Sequence, residues 1–368
     1  MAADCPMKIL TAYIIREFMK PFLLSLLFFC VIILIIQVFN DIRFIMEYKA
    51  TFFLASKYFA LQIPALLMQI VPLAVLFGVL FSLSWLSKNS ELIAMRAGGV
   101  SIFLVAVPLF FSGLVICAAS VLFNETVVPK TTKMKSYTKD VEILKMAEPG
   151  ANRIRQNISM IGATRQVYHI GVFDGTAQTM TDILVLEFGE GTKLRSRIDA
   201  KTAKFEGAEW IFYSGYARSF DETGSETFSQ PFDRMPVALP ERPGDFLKEQ
   251  KPPQELNLFE LYAHVSQLKR NGSDYHKEMV ELHRKIALPF GCVILAILGV
   301  PWGWSMKKYS GVVVSFGICV LVAFFYMGGM QIGQQLGHSG VLSPFFSMWI
   351  MNILFALGAP VLLIRNNR

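Results

Sequence analysis

Charge is what this sequence has least of. Asp, Glu, Lys and Arg make up 17% of its 368 residues, against about 25% in an average soluble domain. The stretch Tyr309–Ile364 contains none of the four. Cysteine is missing from Glu125–Arg284, so that segment has no disulfide framework to rely on. The dipeptide Gly-Lys occurs nowhere, which excludes a P-loop and ATP hydrolysis by that route. No His-Glu-x-x-His occurs, which removes the zinc-protease signature. His276 and His283 stand seven apart with Glu278 and Glu281 between them, a pattern that reads as a solvated helix face rather than a metal site. The sequence calls for no cofactor and no metal.

What is present in excess is apolar. Hydrophobic residues make up 53% of the chain, 31 of its residues are Phe, and the mean hydropathy is +0.45. A membrane span needs about 20 apolar residues with few or no charges. The uncharged runs Pro21–Asn40, Tyr58–Ser87, Ala97–Asn124 and Ile286–Met306 each fit one span. Tyr309–Ile364 is too long for one, and its polar middle, Gln331–Pro344, divides it into two. The first run is too long for the core of a secretory leader and reads as a retained span. No run holds an Asp, Glu, Lys or Arg, which argues against an ion-driven carrier or an intramembrane protease. The expected fold is a polytopic α-helical membrane protein of six spans, three and three.

Six spans put both termini on one side. That side carries Lys8, Arg16, Lys20, Lys88, Arg96, Lys307, Lys308, Arg365 and Arg368, opposed only by Asp4, Glu17 and Glu91. Six of the seven net positive charges therefore lie there, which marks it as the cytoplasm. Trp85, Trp302 and Trp304 fall near the cytoplasmic span ends, where aromatic belts form. Topology accounts for the basic surplus, so no nucleic-acid partner is implied. Cys30, Cys117, Cys292 and Cys319 lie inside spans and read as small apolar fillers.

Between the third and fourth spans the composition changes. Lys130–Met146 reads as helical. Short runs follow at Asn157–Gly162, Gln166–Phe173, Asp182–Phe188, Lys193–Phe205, Glu209–Phe220 and Glu226–Val237. Turn signals at Asp174-Gly175, Gly189-Glu190-Gly191, Glu206-Gly207 and Glu222-Thr223-Gly224 separate them. That spacing predicts an antiparallel all-β domain, a sandwich or a barrel. Pro240–Pro253 reads as a linker, and Leu256–Arg284 as helix with a break at Gly272. The expected division is residues 1–124 with three spans, 125–255 with the β domain and linker, and 256–368 with a connecting helix and three spans.

One cytoplasmic loop stands out, Ser87 to Ser101. Asn89 or Ser90 is placed to cap a helix, Glu91 falls in its first turn, and Leu92, Met95 and Arg96 follow at helical spacing. Gly98-Gly99 ends it. Such a helix is either a docking element or an amphipathic connector resting on lipid headgroups. The stretch from Ser90 to Ser101 resembles the coupling helix of the lipopolysaccharide-export permeases of the LptF/LptG type. Leu10–Phe18 resembles their opening helix. Glu281–Phe290 with Leu298–Pro301 resembles their fourth span, and Leu336–Pro344 with Trp349 and Asn352 their last hairpin.

The resemblance implies a permease subunit without catalytic activity of its own. Its implied partners are a paralogous permease, forming a heterodimer, two copies of a cytoplasmic ATPase, periplasmic bridge proteins and lipopolysaccharide. The inserted domain would be a periplasmic jelly roll handing the lipid on. Glu91 would meet a basic residue of the ATPase, with Leu92, Met95 and Arg96 filling its groove and Gly99 closing the helix. Arg43 matches a basic position that contacts the lipid, and Gln37 stands where some members have Lys. Lys49 and Lys57 add further cations beyond the first span, and Ile36 and Phe39 belong to an apolar stripe suited to acyl chains. The other readings at this point are a lipoprotein-releasing-type permease, whose large domain follows the first span, a membrane-anchored envelope-lipid enzyme, and a scaffold or sensor.

Overall fold

The computed structural model of the protein describes residues 4–145, 154–161, 166–189, 193–207, 209–221, 224–239, 241–247, 252–270, 274–305 and 311–366. Met146, Gly162, Glu190, Gly191, Glu222, Thr223, Pro240, Gly272, Lys307, Lys308 and Arg368 lie outside these residues. An apolar run in lipid must satisfy its backbone polar groups within itself, which the α-helix does. The described helices are α1 (Asp4–Glu47), α2 (Phe52–Lys88), α3 (Glu91–Ala97), α4 (Ile102–Thr126), α5 (Val128–Tyr137), α6 (Pro243–Leu247), α7 (Leu258–Arg270), α8 (His276–Trp304), α9 (Gly311–His338) and α10 (Pro344–Asn366). Six of them, α1, α2, α4, α8, α9 and α10, are long and apolar enough to cross a membrane, three on each side of the inserted sheet.

Two helices run further than the uncharged segments alone predict. α1 extends over 44 residues, through Pro21 at one end and to Glu47 at the other. The connection expected over Asp41–Lys57 therefore shrinks to four residues, and Thr51 caps α2 by accepting the Leu54 N–H. α4 passes into α5 and then into a π-helical turn at Thr138–Ile143. The helical stretch read from Lys130 is thus the continuation of a span.

α2 and α8 form the centre of the helical unit. In each, 67% of the most apolar window is buried, against 17% in α1. Phe18, Ile70, Ala74, Val79 and Leu83 pack with Leu109, Ala296 and Val300 in one core. Leu76 and Leu80 of α2 join Leu295, Tyr326, Met330 and Met348 in another. Pro289 lacks the N–H that would bond the Lys285 carbonyl, and Asn124 Nδ2 of α4 donates to that oxygen at 3.4 Å instead. Tyr326 donates to Asn352 Oδ1 at 2.8 Å, and Asn352 Nδ2 donates to the Ala287 carbonyl at 2.7 Å. That chain ties α9, α10 and α8 together inside an otherwise apolar bundle.

The second unit, residues 145–252 and 262–275, is built on one antiparallel sheet. Its strands are β1 (Ile154–Ile161), β2 (Gln166–Asp174), β3 (Thr179–Phe188), β4 (Leu194–Glu206), β5 (Glu209–Phe220) and β6 (Glu226–Val237), each paired with its neighbours in sequence. The core holds Tyr168, Phe173, Trp210 and Phe212. Phe246, from the stretch expected as linker, completes it: α6 brings its ring within 5.6 Å of Phe173 and 5.8 Å of Trp210. Arg155 donates to the Phe246 carbonyl at 2.9 Å, and Trp210 Nε1 to the Glu241 carbonyl at 3.0 Å. The Tyr168 hydroxyl donates to Glu241 at 2.8 Å. Burial first, and the Glu241 carboxylate second, push the Tyr168 pKa upward.

Candidate functional site

A helix of seven residues is too short to hold itself in water. α3 persists because three contacts fasten it. Leu92, 1% exposed, sits inside the first helical core. Tyr13 of α1 donates a hydrogen bond to Glu91. The Arg96 guanidinium lies 4.4 Å from the centre of the Trp304 ring of α8, a cation–π contact. Partial burial pulls the Arg96 pKa down from its ordinary value, although a guanidinium stays charged. Gly98 N–H bonds the Ala94 carbonyl at 2.9 Å, and Val100 N–H bonds the Met95 carbonyl at 3.0 Å. Gly99 takes φ +80°, a conformation in which a side chain is strained, so the helix stops where the glycine pair predicts.

Two expectations change. Ser90 occupies the cap position at φ +66° and its hydroxyl makes no capping bond; the orienting contact is Tyr13 to Glu91. Leu92 was read as filling a partner's groove, yet it fills this chain's own core. The exposed positions of α3 are Ile93, 53% exposed, with Ala94, Arg96, Ala97 and the glycine pair that follows. Met95 is half-buried. Ile93 was missed because, in a short amphipathic sequence, helical spacing alone does not say which apolar residue faces inward.

At the other end of α1, Ile36, Phe39 and Arg43 recur at intervals of three and four and are all exposed. Gln37 is turned off this stripe and half-buried, while Lys49 is exposed in the turn before α2 at φ +49°. Three further cations gather at this end. Lys57 Nζ pairs with Glu142 at 2.6 Å. The Lys135 ammonium lies 5.5 Å from the Tyr58 ring centre, and that of Lys139 lies 5.5 Å from the Phe44 ring centre. Tyr58 donates to Asp41 at 3.2 Å. The end of α1, the start of α2, α5 and the π turn thus meet in one cluster of amines and aromatic rings. In the sequence, Lys57 closes the Asp41–Lys57 connection that also holds Arg43 and Lys49, and Lys135 and Lys139 lie four apart in the stretch read as helical from Lys130.

The family model for the lipopolysaccharide export system permease LptF/LptG matches residues 12–365. The chain belongs to this family. It is 22% identical over 303 residues to the lipopolysaccharide export system permease protein LptG of Haemophilus influenzae, covering 80% of this chain and 81% of that one. It is 23% identical over 281 residues to the protein of the same name from Escherichia coli K12, covering 74% and 75%. Family membership places the chain among transport permeases, apart from the lipoprotein-releasing, envelope-enzyme and scaffold readings. It is a multi-pass inner-membrane protein.

Proposed function

We propose that this lipopolysaccharide export permease subunit turns the motion of a separate cytoplasmic ATPase into removal of the lipid from the inner membrane. In this reading the termini and α3 face the cytoplasm, and the sheet unit faces the periplasm. One of two ATPase copies docks on Ile93, Ala94 and Ala97 with Glu91 at the rim, and the other engages a paralogous permease. The two relatives named above are LptG proteins, which supports placing this chain on that side of the pair. Periplasmic bridge proteins accept the lipid.

The observation that carries the reading is the wiring of α3. A push on it reaches α1 through Tyr13–Glu91 and α8 through Arg96–Trp304. α1 is a continuous helix, so the path from Tyr13 to Arg43 is about 45 Å at 1.5 Å per residue. Ile36, Phe39 and Arg43 at its far end offer an apolar stripe and a cation, suited to acyl chains and phosphate respectively. Lys49, Lys135 and Lys139 supply further positive charge, Lys57 being paired with Glu142, and Gln37 a neutral polar group.

The decisive experiment replaces Glu91 with Lys in the purified complex with its ATPase. Lipid release into an acceptor should fall at least tenfold while the chain still assembles into membranes. Full lipid-stimulated ATP hydrolysis by that variant would remove Glu91 from the coupling path.

A further inference from the structure

α7 buries one apolar stripe inside the chain and leaves two large aromatic rings outside it. Leu261 is fully buried in a small core with Leu256 and Leu282, and Val265, one turn on, is buried too. Phe259, across the helix from Leu261, is 83% exposed, and Tyr262, at the edge of the buried stripe, is 61% exposed. Leaving two large aromatic rings uncovered at consecutive turns is costly in water. The helix itself is well specified. Asn257 Oδ1 accepts from the Glu260 N–H at 2.8 Å, and the Glu260 carboxylate accepts from the Asn257 N–H at 3.1 Å, the reciprocal cap that fixes a helix start.

The depth of that start is fixed as well. The Leu258 N–H donates to the Glu125 carboxylate at 2.6 Å. Glu125 is the first charged residue after the third span and lies in the last turn of α4. Asn124 beside it bonds α8 at the Lys285 carbonyl. The first turn of α7 is thereby held at the level where α4 and α8 leave the apolar layer. At the start of α2, Phe52 and Phe53 are likewise 89% and 76% exposed, and Lys57 of that helix pairs with Glu142 at the far end of the α4–α5 rod. Further along α7 the exposed positions turn polar, with Gln267 and Lys269.

We propose that α7 is an interfacial anchor. Its aromatic first two turns lie among the acyl and glycerol groups of the leaflet opposite α3, and its polar end rises into water. Phe259 and Tyr262 are the residues that enter the lipid. Tyrosine, with its apolar body and polar tip, is the kind of side chain that sits at this aqueous boundary. The anchor holds the returning chain at the leaflet from which the proposed cargo is drawn. It rests on the membrane placement of the chain and not on the cargo.

The test needs no transport. Single cysteines at Phe259, Tyr262 and Gln267, in a chain whose native cysteines are replaced, are labelled with an environment-sensitive fluorophore. The labelled chain is reconstituted in phosphatidylethanolamine–phosphatidylglycerol vesicles. Shallow nitroxide lipids should quench labels at 259 and 262 at least threefold more than the label at 267, and aqueous iodide should show the reverse order. Iodide quenching at 259 equal to that at 267 would overturn the anchor. So would protection of 259 from both quenchers, which would mean that protein covers it. Because reconstitution perturbs some variants, a second measurement uses the unlabelled chain. Phe259→Asp with Tyr262→Asp should lower partition of α7 into lipid, read as at least fivefold faster amide exchange over residues 258–266, whereas Phe259→Trp should leave it unchanged. Failure of these readouts with export intact would sink the anchor alone; failure of export with the anchor intact would sink only the transport reading.

Discussion

At the residue scale, adjacent positions on α3 do opposite things. Leu92 lies inside the helical core, so Leu92→Ala should cost about 2 kcal/mol or more through the lost packing and the cavity left behind. Ile93 points away from that core, so Ile93→Asp should change stability by no more than about 0.5 kcal/mol. The functional effects should be inverted. Titrating the purified permease with its ATPase should show at least tenfold weaker association for Ile93→Asp. Thermal unfolding in detergent should show the large loss for Leu92→Ala. Equal association by both variants and the unsubstituted chain would move the docking face elsewhere. The apolar character of both residues was plain in the sequence. Their division between core and surface was not, because it depends on where α1, α2 and α8 stand around a helix of two turns.

At the scale of elements, the outer hairpin of the bundle is tight because glycine allows it. A Cβ on Gly333 of α9 would overlap the Ser347 carbonyl oxygen of α10. Small residues that let backbones approach are how helices associate where no hydrophobic drive separates protein from lipid. Gly333→Val should therefore force the two helices apart, at about 1–3 kcal/mol, seen as a lower melting temperature of the detergent-solubilised chain. The sheet has its own signature. Burial and Glu241 raise the Tyr168 pKa, while an unfolded tyrosine ionises near 10. Above about pH 10 the unfolded chain sheds a proton that the folded one keeps, so stability falls as pH rises. Protease resistance of the sheet segment should decline over that range, and Tyr168→Phe should flatten the decline. Strand spacing and turn residues foretold the sheet. The role of α6 was hidden: a proline-rich stretch looks like a linker until Phe246 is seen completing the aromatic core.

At the scale of the whole molecule, α1 joins the two ends, since it touches α3 near one and bears Arg43 near the other. Arg43→Ala should weaken lipopolysaccharide binding by about three- to tenfold in low salt, and by less as added salt screens the phosphate contact. Binding measured against a fluorescent lipid at two ionic strengths checks this, and an unchanged affinity at both would limit Arg43 to anchoring the helix. The six spans, their three-and-three division and the inserted antiparallel domain were all legible, because lipid leaves an uncharged run few ways to satisfy its backbone and a strand series few ways to pair. Periodicity and charge are local properties, and they determined these elements. Contacts joining residues 78 and 85 positions apart, Tyr13 with Glu91 and Lys57 with Glu142, are not local. Which apolar face turns inward, which amines gather around Phe44 and Tyr58, and which short helix is fastened to which span follow from helix packing. Only the tertiary structure decided those.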